Sequence, residues 1–167
     1  MRLPIRLLVV LLLGSVGLGQ HCLCEPSIKV HIGKLVIEST TLPNADRRQV
    51  IHQFQHFTYD ESELGIREEF GDRIREALQD LGYLSPAVDE PTFSLITTDQ
   101  GERIANVTVK VDKGDQYRLG KIQFQDATLF PTSQLRQVFA LQDGDLFNRS
   151  KFAEGLQQMQ NLYQAAG

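Results

Sequence analysis

Two histidines have a spacing that suits a metal site. His52 and His56 are four residues apart in a segment, residues 45–57, that is predicted to be helical. Both side chains would then project from one helix face, and imidazoles are common zinc ligands. No third ligand stands out nearby in the sequence. We therefore interpret both histidines as solvated surface residues and expect neither a metal nor another cofactor.

Carboxylates crowd the start of a second predicted helix, at Asp60, Glu61, Glu63, Glu68 and Glu69. Paired carboxylates can act as general acid and base, but the positive end of a helix dipole also attracts negative charge. The dipole explains the cluster without catalysis, and no nucleophile elbow or phosphate-binding loop accompanies it. The sequence therefore predicts that the chain is not an enzyme. A small exported enzyme with an acidic cleft is the alternative.

The amino-terminal segment, residues 1–24, has the pattern of a signal peptide. Arg2 and Arg6 precede a run of leucine and valine that is too short to span a bilayer. Cleavage is expected after Gly19 or after Cys24, and the chain is expected to be exported. Cys22 and Cys24, the only cysteines, are too close for a structural disulfide. Losing two arginines and no acid takes the net charge from −4 to −6, which argues against nucleic acid as a partner.

Alternating apolar residues and turn residues then predict an α+β unit. Leu35 and Ile37 mark a first strand, and residues 45–57 form a first helix. A capping-box pattern, Thr58 to Glu61, is expected to begin a second helix. That helix carries an apolar stripe made by Ile66, Phe70, Ile74, Ala77, Leu78 and Leu81. Residues 92–98 and 104–111 complete the unit as a hairpin.

The same order begins again later in the chain. Gly33-Lys34-Leu35 aligns with Gly120-Lys121-Ile122, and Pro43 aligns with Pro131. The second helix of the repeat is expected to begin at Asn148, a good N-cap. We therefore predict tandem β-α-α-β-β units over residues 30–113 and 114–167. Each would be a three-stranded sheet covered by two helices, and the second unit is incomplete because the chain stops after its second helix.

Residues 107–124 connect the two predicted units. Val107, Val109 and Val111 alternate with polar residues as in a half-buried strand, and Gly114 supplies a turn. A second strand that begins the next unit is expected to follow. We predict an inter-domain joint at Gly114, Tyr117 and Gly120, and the short connection between the strands should restrict the angle between the units.

The chain resembles the POTRA (polypeptide-transport-associated) domain family. The matching residues run Val109-x-Val111-x-x-Gly114-x-x-Tyr117-x-Leu119-Gly120-x-Ile122-x-Phe124, then Leu135, Leu141-x-x-Gly144-Asp145-x-Phe147-Asn148 and Tyr163. Such units occur in tandem before the barrel of BamA-type outer-membrane assembly factors and related two-partner secretion transporters. The resemblance covers residues 30–167, most strongly from 107.

The resemblance implies a periplasmic module of an outer-membrane protein assembly or translocation factor. Its partners would be unfolded outer-membrane protein precursors, periplasmic assembly proteins and a β-barrel that this sequence lacks, with no small-molecule substrate and no nucleic acid. In the family an edge strand binds clients by β-augmentation, and it corresponds here to Thr92, Phe93, Ser94, Leu95, Ile96, Thr97 and Thr98. An envelope scaffold that docks a partner without handling clients is the alternative function.

Overall fold

A mixed sheet with two helices packed on one face forms the first part of the chain. The computed structural model describes residues 28–61 and 65–166, and the predicted signal peptide, residues 1–24, lies outside them. The strands and helices are β1 (Lys29–Glu38), α1 (Asn44–Gln53), β2 (Thr58–Asp60), α2 (Ile66–Gln79), β3 (Ala87–Val88), β4 (Thr92–Thr97), β5 (Arg103–Asp112), α3 (Thr132–Gln137) and α4 (Arg149–Ala165). This is the predicted α+β class.

Strand β5 is the central strand of the sheet. It pairs in parallel with β1 on one side, and it pairs antiparallel with β4 and, further along its length, with β3 on the other. The short strand β2 adds to the outer edge of β1. The predicted three-stranded sheet is therefore correct for β1, β4 and β5, while β2 and β3 extend it to five strands.

The core of the first unit lies between the sheet and α1 and α2. Along β5, every second residue from Ala105 to Val111 is buried, as the predicted alternation requires. The apolar stripe of α2 is also confirmed, because Phe70, Ile74 and Leu78 are fully buried against the sheet. Removal of this apolar surface from water is the main contribution to the stability of the unit.

The predicted capping box at Thr58 is wrong. Thr58, Tyr59 and Asp60 form β2, where Tyr59 pairs with Val30 of β1. Tyr59 is buried against the core and its ring contacts Phe93 at 5.9 Å between centroids. Burial of this aromatic side chain in the sheet outweighs a local capping pattern. Helix α2 instead begins after Gly65, which takes a left-handed conformation at φ 90°.

The second unit has its own small core and lacks its predicted first strand. Leu135 and Phe139 are buried there and do not belong to the core of the first unit. Residues 117–124 were expected to form a strand, but only one isolated bridge, Arg118 to Leu146, forms within them. In the first unit the opening strand pairs with β5, and no equivalent of β5 lies among residues 117–166. A strand without a ladder partner is not stable in water.

Helix α4 begins as predicted, because the side chain of Asn148 accepts a hydrogen bond from the backbone N–H of Lys151 at 2.8 Å.

Throughout residues 28–61 and 65–166, no helix has the length and apolar character needed to cross a membrane.

Candidate functional site

Strand β4 is a free edge of the sheet. Among the described residues it pairs only with β5, through the register Thr92 to Thr108 and Thr97 to Arg103. The strand therefore contains six of the seven residues predicted for peptide binding, and Thr98 lies just beyond it in the hairpin turn. The exposed fractions of Leu95 and Ile96 are each 48%, which is high for large apolar side chains.

The register shows which backbone groups of β4 face the free edge. The N–H of Thr98 donates to the carbonyl of Glu102 at 2.9 Å, so these two residues form a hydrogen-bonded pair. Hydrogen-bonded and non-hydrogen-bonded pairs alternate in an antiparallel ladder. Phe93, Leu95 and Thr97 therefore direct their N–H and C=O groups away from β5. These groups are the ones that an added strand would bind.

Both ends of β4 are held by side-chain contacts. Near its start, the ring of Phe93 contacts the ring of Phe70 edge-on at 5.5 Å between centroids. At its end, Arg103 donates to Thr97 Oγ1 at 2.8 Å and to Glu61 Oε1 at 2.6 Å. Because an incoming peptide would find a strand that is already ordered, it would pay a smaller entropic cost on binding.

An open groove lies beside the start of β4. It has a volume of about 840 Å³ and runs between α2 and the β3–β4 connection. Its lining includes the apolar or small residues Ile66, Gly71, Val88 and Pro91 together with charged residues such as Arg67. The groove is mixed in chemistry, which suits a polypeptide side chain better than a purely apolar ligand.

The structure separates the two histidines and gives two of the acids ion-pair partners, while Glu63 lies outside the described residues. Helix α1 ends at Gln53, so His56 lies beyond the helix and does not share a helical face with His52. The described residues contain no group of three histidine, cysteine, aspartate or glutamate side chains placed to hold a metal. Asp60 pairs with Lys29 at 3.0 Å and Glu61 pairs with Arg103, so these two acids have structural partners.

The predicted joint is the second candidate site. Gly114 has a left-handed backbone at φ 64°, and a Cβ there would lie 3.2 Å from the carbonyl oxygen of Ser85. The N–H of Tyr117 donates to the carbonyl of Gly82 at 2.9 Å, which links the two units. Gly120 has open space around the position of a Cβ and a backbone outside the left-handed region. Nothing in the structure requires glycine at position 120.

Tyr83 supports the joint from the first unit. Its side chain is 2% exposed, its hydroxyl donates to Asp46 Oδ2 at 2.6 Å, and residue 83 forms an isolated bridge with Gln116. Burial, followed by the hydrogen bond to Asp46 and by the negative charge of Asp46, raises the pKa of Tyr83 to about 12 from 10.0. The neutral phenol is therefore the form that the folded protein favours.

Alkaline pH should weaken this contact. A pKa that is higher in the folded state gives stability that is present below about pH 10 and is lost as the pH rises toward 12. We expect Tyr83→Phe to be less stable than the parent protein near neutral pH and the difference to shrink above about pH 10. Urea unfolding of both proteins across this pH range measures the difference in their free energies of unfolding. A difference that does not change with pH would contradict a stabilising role of the neutral phenol.

Asp80 and Gly82 also contact residues beyond Gly114, and the sequence does not single out these contacts. In the sequence Gly82 is recognisable only as a glycine that could stop the helix before it, and Asp80 carries no signal. In the structure, Asp80 Oδ1 accepts a hydrogen bond from the backbone N–H of Ser150 at 2.8 Å, and a Cβ on Gly82 would lie 2.9 Å from the carbonyl oxygen of Tyr117. No local pattern connects residues that lie 35 to 70 positions apart, so only the tertiary structure reveals these contacts.

Sequence comparison detects the family in the second unit. Residues 117–167 match the POTRA family model, described as a surface antigen variable number repeat. No curated protein matches the chain.

Three solved structures are similar to the chain. The BamA structure of Haemophilus ducreyi lacking POTRA domains 1–3 matches with a TM-score of 0.51 and 19% identity, over 78% of this chain and 24% of that one. POTRA3–5 of Haemophilus influenzae BamA gives a TM-score of 0.45 and 18% identity, over 81% and 50%. POTRA1–2 of the periplasmic domain of Omp85 from Anabaena gives 0.42 and 19%, over 84% and 82%.

This chain therefore spans half of the Haemophilus influenzae BamA fragment and about a quarter of the Haemophilus ducreyi structure. The match to the Haemophilus ducreyi structure, whose TM-score exceeds 0.5, shows that the fold is shared. The family match over residues 117–167 confirms that this part of the chain resembles POTRA domains.

Proposed function

We propose that this chain is a non-catalytic periplasmic module of an outer-membrane protein assembly or translocation factor and that it binds unfolded polypeptide by strand addition at β4. The observation that carries the proposal is the free edge of β4, with exposed Leu95 and Ile96 and outward backbone groups at alternate residues. The POTRA match over residues 117–167 supports the periplasmic setting. Its partners would be outer-membrane protein precursors, with a β-barrel in the same machine.

The edge suits clients that alternate apolar and polar residues. Side chains on one face of an added strand would lie beside Phe93 and Leu95, and those on the other face would lie beside Ser94 and Ile96. Backbone hydrogen bonds form with any sequence, so the alternation sets the only strong preference. Strands of a β-barrel have this alternation because one face meets lipid and the other faces the lumen.

Binding at this edge should be weak. About five backbone hydrogen bonds, each worth about 0.5–1.5 kcal/mol net, are offset by several kcal/mol of association cost. Weak and unselective binding suits a module that passes its clients on, since a tightly held client would not be released.

Replacing Leu95 with proline should block the edge and leave the fold intact. The N–H of Leu95 points away from β5, and proline is tolerated on an edge strand when its nitrogen faces solvent. We expect binding of a fluorescent peptide with alternating apolar and polar residues to weaken by at least about tenfold, through one lost hydrogen bond and a steric clash of the ring. Fluorescence anisotropy measures the binding, and circular dichroism checks the fold.

Two variants control this experiment. Leu95→Val keeps the N–H and should bind like the parent protein, whereas Ser94→Pro removes a hydrogen bond to β5 and should destabilise the fold. Leu95→Lys provides a second block by placing a charge at the edge. Equal peptide binding by the parent, Leu95→Pro and Leu95→Lys proteins would refute strand addition at β4.

Photo-crosslinking from position 94 in cells distinguishes the client-binding module from the envelope scaffold. A client-binding module should trap many unfolded outer-membrane precursors. Capture of a single folded envelope protein and no precursors would favour the scaffold, and it would contradict the proposed function.

A further inference from the structure

The carboxyl end of α2 docks onto the amino end of α4. Asp80, the residue that ends α2, accepts a hydrogen bond at Oδ1 from the backbone N–H of Ser150 at 2.8 Å. The side chain of Asn148 donates through Nδ2 to the backbone carbonyl of Asp80 at 2.9 Å. These two hydrogen bonds join residues that lie in different units and far apart in the chain.

Each helix end satisfies groups that the other helix end leaves unpaired. The first N–H groups of a helix and its last carbonyls have no partner within the helix. Here the N–H of Ser150 in the first turn of α4 donates to the carboxylate of Asp80, and the carbonyl of Asp80, just after the end of α2, accepts from the side chain of Asn148. The negative charge of Asp80 also lies at the positive end of the α4 dipole, which favours it there.

Asn148 contacts the ends of both helices. Its Oδ1 accepts the N–H of Lys151 and so caps α4, while its Nδ2 donates to Asp80. An amide is the side-chain group that provides an acceptor and a donor together in this geometry. Asparagine at this position therefore couples the start of α4 to the end of α2.

A second pair of contacts continues the docking past the end of α2. Gln116 Nε2 donates to the carbonyl of Leu81 at 2.8 Å, and the N–H of Tyr117 donates to the carbonyl of Gly82 at 2.9 Å. Gly82 allows this approach, since any Cβ would lie 2.9 Å from the carbonyl oxygen of Tyr117. Residues 80–82 are thus connected to the second unit at each successive position.

We propose that this reciprocal capping of α2 and α4, centred on Asp80 and Asn148, sets the angle between the two units. The short connection around Gly114 restricts the range of angles that the units can take, but it does not by itself select one of them. The docked helix ends select the angle, because they hold two separate parts of the second unit, the start of α4 and the segment at Tyr117, against the carboxyl end of α2. Edge strand β4 is thereby held in a constant orientation relative to the second unit. This inference does not depend on whether β4 binds a polypeptide.

The test measures the distribution of distances between spin labels in the two units. The full chain carries Cys22→Ser and Cys24→Ser, with labels at Thr108→Cys on β5 and Gln158→Cys on α4, both of which are exposed positions. Pulsed electron paramagnetic resonance should give a narrow distribution for this protein. Asp80→Ala and Asn148→Asp should broaden it by at least about twofold, because domains without a strong interface move relative to each other.

Asn148→Asp separates docking from capping. Its carboxylate keeps an acceptor for the N–H of Lys151, so α4 stays capped, but it loses the donor to Asp80 and places a second negative charge beside it. Circular dichroism should therefore show unchanged helix content while the distance distribution broadens. This combination separates a change of orientation from a loss of folding.

Glu76→Ala serves as the matched control in the same contact region. Glu76 forms an ion pair with Arg149 at 3.4 Å, but both side chains are more than half exposed. Exposed ion pairs contribute little, so the distribution should stay narrow. Distributions of equal width in the Asp80→Ala, Asn148→Asp and parent proteins, with helix content retained, would overturn the proposal.

Discussion

Replacing Phe70 by alanine is expected to lower the free energy of unfolding of the first unit by about 3–5 kcal/mol. The side chain is fully buried, and its ring lies 4.7 Å from Phe54 and 5.5 Å from Phe57 and Phe93, measured between centroids. Alanine would leave a cavity that the neighbouring aromatic rings cannot fill without moving. Urea unfolding followed by circular dichroism measures the change.

The same substitution should also loosen strand β4, the edge proposed to bind peptides. Phe93 is the residue of β4 that faces the core, and the rings of Phe70 and Tyr59 hold it there. Leu129→Ala is the control, because Leu129 is 55% exposed and its truncation should cost less than about 0.5 kcal/mol. If Phe70→Ala lowers the free energy of unfolding by less than about 1 kcal/mol, the core repacks freely around the missing ring, which would contradict its close packing.

Gly155→Leu should disrupt the small core of the second unit. Gly155 is buried in the middle of α4, and a Cβ at this position would lie 2.4 Å from Cδ1 of Phe139. Phe139 is 3% exposed and its ring also contacts Phe124 and Phe152, so it has little room to move. Leucine favours a helix over glycine by about 1 kcal/mol. We therefore expect the free energy of unfolding of the second unit to fall by about 1–3 kcal/mol because of the steric overlap.

Ala153→Leu provides the matched control two residues away. Ala153 lies on the exposed side of α4, so leucine there should leave the stability of the unit nearly unchanged. The measurement is the midpoint of urea unfolding followed by circular dichroism, to which the 17-residue helix α4 contributes. Equal midpoints for Gly155→Leu and Ala153→Leu would show that Phe139 does not need glycine opposite it.

Much of the first unit could be predicted from its sequence because its signals are periodic. The strand patterns of residues 92–98 and 104–111 predicted the β4–β5 hairpin, and the structure has it. The stripe of α2 was equally clear. Periodic patterns of this kind report which face of a strand or helix is buried, and the burial of apolar surface is the dominant driving force for folding.

Two predictions failed where a local pattern competed with a distant partner. Thr58 to Glu61 matches a capping box, yet residues 58–60 pair with β1 and bury Tyr59 in the core. Residues 117–124 alternate like a strand, yet no ladder forms there because no partner strand lies among residues 117–166. A strand depends on a second segment, and the sequence around it does not state where that segment lies.

The candidate site likewise combines features that the sequence predicted with features that only the structure shows. The structure has a strand at residues 92–97, where the resemblance to the family implied a peptide-binding edge. The domain boundaries, the binding role of the edge and the joint residues stay predictions. The register of β4 against β5 shows which residues of β4 direct their backbone groups outward. Because Leu95 is one of them, Leu95→Pro tests binding at the edge without removing a hydrogen bond to β5.

By itself, the sequence determined the α+β class, the order of the two helices and the three long strands of the first unit, the start of α4 at Asn148 and the resemblance to the POTRA family. Each follows from spacing within a short segment, where neighbouring residues share one face or one turn. Only the tertiary structure decided that Asp80 meets Ser150, that Tyr117 meets Gly82 and that Gly155 faces Phe139. The physical reason is that such contacts join distant parts of the chain, and their geometry appears only once the packing of the helices and the sheet has brought those parts together.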